Sequence, residues 1–318
     1  LIPSFVRDRE EKGLPFDLYF AGTQNKMCEQ WMMDNNACRL QSQLNDRTNI
    51  NHWIETTEGE LLFIDSGAFT AHTKGTEVDV DNYLEYVNKI DDHVRCFVQV
   101  DKIPGRFGQP KTREEILEAP KLSWDNYLYM RPKCKSPDKL MPVFHHGEDF
   151  KWLENMLEYT DENNNHIDYI CLSPANDKPV KEKVKFLEKC YAIIEASSNP
   201  NVKTHLLGFT SLKWLEQFPC YSADSTAWIQ TGAVGNVMTP FGTLDISENS
   251  LKDIHSIRNT PVLKDKFESY IHSIGLNPEE LYNDYKSRLM ANLIYLYNWA
   301  KDYKYKGPNH RVIRKGLF

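Results

Sequence analysis

Three aspartates, two adjacent histidines and two serines stand where apolar runs end along this 318-residue chain. Phe63-Ile64 leads into Asp65-Ser66-Gly67-Ala68-Phe69, Phe97-Val98-Gln99-Val100 into Asp101, and Val143-Phe144 into His145-His146-Gly147. Further on, Cys171-Leu172 leads into Ser173, Leu206-Leu207 into Gly208, and Cys220-Tyr221-Ser222-Ala223 into Asp224. Two carboxylates at one mouth can run a double displacement. One ionised Asp attacks a sugar carbon and the other handles the proton of the departing or arriving group. Asp65 and Asp224 are read as that pair. Gly67 has no Cβ, so a flat ligand can approach its backbone closely.

Other chemistries use some of the same residues. A metal-dependent hydrolase built on Asp65, Asp101, His145 and Asp224 stays open. It has to contend with His145 and His146 being neighbours, which on a strand point to opposite faces. No His-Glu-x-x-His occurs in the chain. A serine nucleophile at Ser66 or Ser225 lacks the Gly-x-Ser-x-Gly elbow. A single acid after a strand is often a helix cap, so the case rests on the set.

The elements that must position this set alternate. Strands are expected over 16–21, 60–65, 96–101, 140–145, 167–172, 204–208 and 220–224, with an eighth at Val234 to Met238. Between them the spacing of Tyr83, Tyr86, Val87 and Ile90 predicts a helix over 80–91, capped by Asp79 or Asp81. Trp152, Leu153, Met156 and Leu157 predict one over 149–159, and Val184, Leu187, Cys190, Tyr191 and Ile194 one over 180–196. Residues 25–59 read as an elaborated loop or short helices. Residues 102–122, with Pro104, Gly105, Gly108, Pro110 and Pro120, read as a long loop before a short helix near Ser123 to Tyr127. Asn277-Pro278-Glu279-Glu280 starts a helix expected to reach about Asp302.

Alternating strands and helices suit a parallel (β/α)8 barrel of the TIM type, with its active site at the C-terminal strand ends. The rival, an open doubly wound sheet, has no Gly-x-Gly-x-x-Gly after the first strand to support it. The expectation is a single domain over 1–318, with the barrel core at 16–242 and a helical extension with a basic tail at 243–318.

Composition narrows the class. Hydrophobic residues make up 41% and charged residues 26%, which is ordinary for a globular protein. The seven cysteines are scattered and contain no Cys-x-x-Cys pair, so neither a disulfide framework nor a four-cysteine zinc site is expected. No apolar run reaches the ~20 residues of a membrane span; no membrane partner is expected, and a cytoplasmic location is. The net charge of −7 argues against a general nucleic-acid coat. The tail is different: Lys301, Lys304, Lys306, Arg311, Arg314 and Lys315 lie among Tyr303, Tyr305 and His310, either as a solvated end or as a phosphate-contacting arm.

The ordered set resembles a known family. Gly22-Thr23-Gln24, Asp65-Ser66-Gly67-Ala68-Phe69, Val100-Asp101, Pro142-Val143-Phe144-His145-His146-Gly147 and Leu207-Gly208-Phe209-Thr210 with Tyr221-Ser222-Ala223-Asp224 are similar to segments of the tRNA-guanine transglycosylases. With Ser123-Trp124 and the Phe144-to-Phe150 stretch, the chain looks closer to the shorter branch called DpdA, the bacterial and phage enzymes that insert 7-deazaguanines into DNA. The resemblance covers roughly residues 16–240.

It implies a glycosyltransferase that needs no cofactor or metal. Asp224 would be the nucleophile at C1′ of a (deoxy)guanosine, and Asp65 the general base on the incoming 7-deazaguanine. Ser66, Asp101, His145 and Ser173 would read the base edge, with Gly67 and Gly208 beside it. Phe69 and Leu207 would sandwich its ring. Implied partners are DNA and a free 7-deazaguanine base resembling preQ0, with a helper protein to open the duplex left as an option; in a phage-encoded protein the location would be the host cytoplasm. Trp228 could stack on a base, with a core role as the alternative. The chain departs from the tRNA enzymes in three places. It lacks their C-terminal Cys-x-Cys-x-x-Cys…His zinc site, which favours DNA over tRNA. It has His145 in place of a base-reading Gln, and Ser173-Pro174 in place of Gly-Gly.

Overall fold

A computed structural model describes residues 2–22, 25–44, 51, 53–55, 61–175, 177–246, 257 and 260–308. Nine strands form one sheet: β1 (Asp17–Ala21), β2 (Arg39–Ser42), β3 (Leu62–Asp65), β4 (Val94–Val98), β5 (Leu140–Met141), β6 (Val143–His145), β7 (Tyr169–Ser173), β8 (Lys203–Leu206) and β9 (Ser222–Ser225). Their order is β5-β4-β3-β2-β1-β9-β8-β7-β6. The two end members, β5 and β6, are halves of one extended segment divided at Pro142, which has no N–H to give to a ladder. β5 pairs in parallel with β4, and β6 with β7. The junction stays bonded, because Gln99 N donates to Met141 O at 3.0 Å and Cys171 N to Pro142 O at 2.8 Å. One split strand therefore joins both ends of the sheet, giving the expected α/β barrel.

Alternate residues fill the interior. Tyr19, Phe63, Cys96, Val98, Met141, Val143, Tyr169 and Cys171 form one buried cluster, as a small barrel requires. The intervening residues meet the helices: Phe144 stacks on Phe186 of the helix Val180–Ala196 at 5.6 Å. Parallel register carries the strand ends to one level, with Ser42 opposite Asp65 and His145 opposite Ser173.

One expected barrel strand lies outside the barrel, and an unexpected one takes its place. Residues 236–239 form β10 (Asn236–Thr239), which pairs antiparallel with β11 (Gly242–Asp245) in a separate two-stranded sheet. The missing barrel strand is β2, inside the stretch expected to be loop or short helices. Its sequence, Arg-Leu-Gln-Ser, has no apolar run, and its Arg39, Gln41 and Ser42 are all buried. Two helices also differ. Arg113–Met130 is one helix, opened by a capping box between Thr112 and Glu115, and it carries Pro120 in its interior. At the C-terminus, helix Pro278–Asn283 stops at Asp284, whose side chain accepts from Lys286 N and starts the helix Tyr285–Lys301.

The described chain separates into two compact units, 1–19 with 38–224 and 304–318, and 20–37 with 225–303. The first contains the strand ends that carry the candidate site. The second has its own core of Val237, Leu244, Ile246, Ile257, Phe267, Ile271, Leu281 and Ala291. Among the described residues no helix is long and apolar enough to cross a membrane.

Candidate active site

Asp224 lies in the last barrel strand, 7% exposed. Its Oδ1 accepts from Gly208 N at 2.7 Å and faces His205 Nε2 at 3.2 Å. Gly208 reaches this position with φ +61°, in the left-handed region that glycine enters without steric cost. Both contacts fall on one oxygen. Among the described residues nothing donates to Oδ2, which is left as the oxygen that can attack.

His205 is completely buried and lies against the Phe63 ring, with centroids 4.4 Å apart. Its Nδ1 lies 2.5 Å from Ser222 Oγ, and that hydroxyl in turn contacts the Tyr169 phenol. A neutral ring donates from one nitrogen and accepts at the other. If Nε2–H points to Asp224, Nδ1 must accept from Ser222, and Ser222 must accept from Tyr169. The buried chain Tyr169→Ser222→His205→Asp224 thus selects one tautomer. Nitrogen-15 spectra of the wild type should show His205 Nε2 as a protonated nitrogen facing Asp224. Ser222→Ala should move the Nδ1 resonance, because that nitrogen loses its hydroxyl partner, while the carboxylate keeps the proton on Nε2; an unchanged spectrum would refute the relay.

Asp65 ends β3 and starts a tight turn, with Gly67 N donating to its Oδ2 at 3.0 Å. Gly67 has φ +80°, and a Cβ there would come within 2.7 Å of Leu44 and 2.9 Å of Ser42 Oγ. No other residue fits this turn without displacing both. The Asp65 carboxyl is pushed up to about 7, first by burial, then by the charges of Asp101 and Asp224, with the Gly67 hydrogen bond opposing. Asp65, Asp101 and Asp224 all push the buried Cys171 thiol upward, after burial itself. All three carboxylates thus act on one buried thiol of the interior cluster.

Asp101 Oδ2 lies 3.0 Å from His145 Nε2, and Glu148 Oε2 accepts from His145 N at 3.0 Å. Burial alone would lower the imidazole's pKa, but contact with Asp101 and the charge of Glu148 outweigh it, and the net direction is upward. His145 is thus a stronger candidate for a cationic donor than an ordinary histidine. The adjacent histidines part as strand geometry demands. His146 turns to the helix layer, 5.2 Å from the Phe186 ring, and its N–H donates to Ser173 O at 2.9 Å.

The remaining expected residues divide. Ser173 and Gly208 are half-buried at the strand ends, Leu207 is half-buried against the interior cluster, and Phe69 is 67% exposed. Ser66 is fully buried; its hydroxyl accepts from Ala68 N at 3.4 Å and its carbonyl from Gln43 Nε2 at 3.2 Å. Its work in this structure is to hold the turn. Of the two readings of Trp228 the structure shows the core one: the ring is completely buried, edge-on to Phe20, and donates Nε1–H to Ala21 O at 3.1 Å. A large indole whose N–H has a partner is stable in a core. Arg311, Arg314, Lys315 and the Thr23-Gln24 turn lie outside the described residues.

Sequence reading missed His205, Ser222 and Gln99. Gln99 is fully buried and its carboxamide has no hydrogen-bond partner among the described residues. Buried amides left unpaired call for a reason, and this one stands two residues before Asp101. The common signal was a polar side chain within an apolar strand. Among the described residues no group of three or more His, Cys, Asp and Glu side chains converges as ligands of one metal ion. Compared with known proteins, the chain matches no family model and no curated protein.

Proposed function

We propose that this chain is a DNA guanine transglycosylase that exchanges guanine for a 7-deazaguanine base. The observation that carries this reading is the unequal pair of carboxylates. Asp224 has one oxygen tied by Gly208 and His205 and the other without a donor among the described residues, whereas the Asp65 carboxyl is pushed up to about 7. Opposed environments of this kind separate a nucleophile from an acid/base group.

In the first step Asp224 Oδ2 attacks C1′ of the nucleotide. The C1′–N9 bond breaks, its electron pair leaves with guanine, and protonated Asp65 supplies the proton. In the second step ionised Asp65 takes the N9 proton of the incoming base. N9 attacks C1′ and the Asp224–sugar bond breaks. His145, with Asp101 behind it, presents a donor to an acceptor on the base edge. The order of polar strand ends supports the family resemblance, and the Ser123-Trp124 and Phe144-to-Phe150 stretches favour the branch that acts on DNA.

The test is incorporation of labelled guanine into DNA and tRNA side by side, with Asp224→Asn as control. Label in DNA that disappears in the variant is expected. Label in tRNA alone would keep the chemistry and overturn the substrate; label in neither would overturn the reading.

A further inference from the structure

Between the strand end at Asp101 and the helix Arg113–Met130, residues 102–113 contain Lys102, Arg106, Lys111 and Arg113 and no acid, in a chain whose net charge is −7. Arg106, Lys111 and Arg113 are exposed. At the crest stands Phe107, 60% exposed. Gly105 and Gly108 bracket Arg106-Phe107, each with φ +74°. Two left-handed glycines turn the chain sharply on both sides and push the intervening pair outward. A Cβ on Gly105 would lie 3.1 Å from Lys111 Cγ, so the loop closes on the lysine stem.

The loop belongs to the mouth of the site. The Phe107 ring stands edge-on to His72 at 6.4 Å, and His72 lies in the helix Ala68–Thr73, directly after the Asp65 turn. Lys111 and Lys102 both act on His72, and Lys111 also acts on His145. A ring left this exposed, on a loop where Arg106, Lys111 and Arg113 are exposed as well, suits a partner that is polyanionic and offers flat apolar faces. A nucleic-acid duplex is that partner. A base inside a duplex must leave the stack to be reached, and apolar side chains enter base steps opened in this way.

We propose that Phe107 is the wedge that enters the base stack where the target nucleotide leaves, while Arg106, Lys111 and Arg113 hold the flanking phosphates. This rests on the guanine-exchange reading only for what the extruded nucleotide is used for. It makes duplex nucleic acid the substrate class of the site and gives the opening of the duplex to the chain itself.

The test uses the full chain, Phe107→Ala and Phe107→Trp, with linear plasmid DNA either native or heat-denatured. Phe107→Ala is expected to lose at least about tenfold in guanine exchange on native DNA, where stacking support is needed. It should stay within about twofold of wild type on denatured DNA, and Phe107→Trp should recover most of the native-DNA rate. Permanganate oxidation of unstacked thymines in native DNA gives a readout that needs no exchange: wild type should raise it and Phe107→Ala should not. Equal loss on both DNAs, no loss on native DNA, or no rise in thymine reactivity with wild type would each overturn the wedge. If wild type exchanges guanine in neither DNA, the transglycosylase reading falls, and the permanganate comparison alone decides Phe107.

Discussion

Asp224→Asn is expected to abolish guanine exchange, with a loss of at least about 10⁴-fold, the scale on which removal of a nucleophile is felt. That corresponds to roughly 5.5 kcal/mol of lost transition-state stabilisation. The substitution is close to silent in structure. The amide oxygen can take the place of Oδ1, which accepts from Gly208 N at 2.7 Å and faces His205 Nε2 at 3.2 Å. The amide nitrogen then occupies the position of Oδ2, where no described residue donates, so no buried partner is orphaned. The melting temperature should therefore stay within a few degrees of wild type. The measurement is a denaturing gel of protein incubated with guanine-containing DNA and no incoming base. Wild type should leave a covalent protein–DNA band and the variant none. A variant that keeps full exchange, or still forms the band, would remove Asp224 as the nucleophile. A variant that loses both activity and its fold would show that Asp224 holds the barrel together instead.

The legible parts of this chain were those in which local pattern and global position agree. Helix Val180–Ala196 was read within its bounds because its apolar stripe and its neighbours give one answer. Strands such as Tyr169–Ser173 announced themselves as apolar runs because they are buried on both faces. Their polar ends were visible for the same reason: a carboxylate after a buried run is a break in pattern. What stayed hidden lies where tertiary structure overrides that pattern. The strand Arg39–Ser42 is polar yet buried, with the Arg39 guanidinium 4.9 Å from the Trp53 ring and bonded to Gln41 Oε1. Such compensation is invisible until the partners are placed. Helix Arg113–Met130 was concealed by Pro120, which punctuates sequence more strongly than it breaks this helix. His205 read as one more strand residue because its partners, Ser222 and Asp224, lie 17 and 19 residues away. The Asp65–Asp224 pairing was drawn from types and order alone. The difference in environment between its two members is what only the structure supplies.

That difference sets the second large effect, a split pH dependence of the two half-reactions. The Asp65 carboxyl stands at about 7, raised first by burial, then by Asp101 and Asp224, against the pull of the Gly67 N–H. In the proposed mechanism, expulsion of guanine needs the protonated form. The rate of adduct formation in a single turnover should therefore be level below pH 7 and fall about tenfold per unit above it. Return to a free base needs the ionised form, so discharge of the adduct by an added 7-deazaguanine should fall below pH 7 and level off above it. Asp65→Asn should remove both breaks and slow each step by about 10² to 10⁴-fold. Stability moves the other way. An ordinary aspartate ionises near 3.9, so between that value and 7 the unfolded chain carries the charge that the folded one resists. Asp65 therefore costs nothing at low pH, costs progressively more as pH rises to 7, and costs a constant amount beyond. About 1.4 kcal/mol per unit sets a ceiling of roughly 4 kcal/mol. Asp65→Asn should accordingly melt higher than wild type at pH 8, with the gap closing at pH 4. An adduct-forming step that speeds up through pH 7, in a protein that Asp65→Asn destabilises at pH 8, would mean that Asp65 is ionised throughout and holds structure; the proton would then have to come from the His145–Asp101 pair.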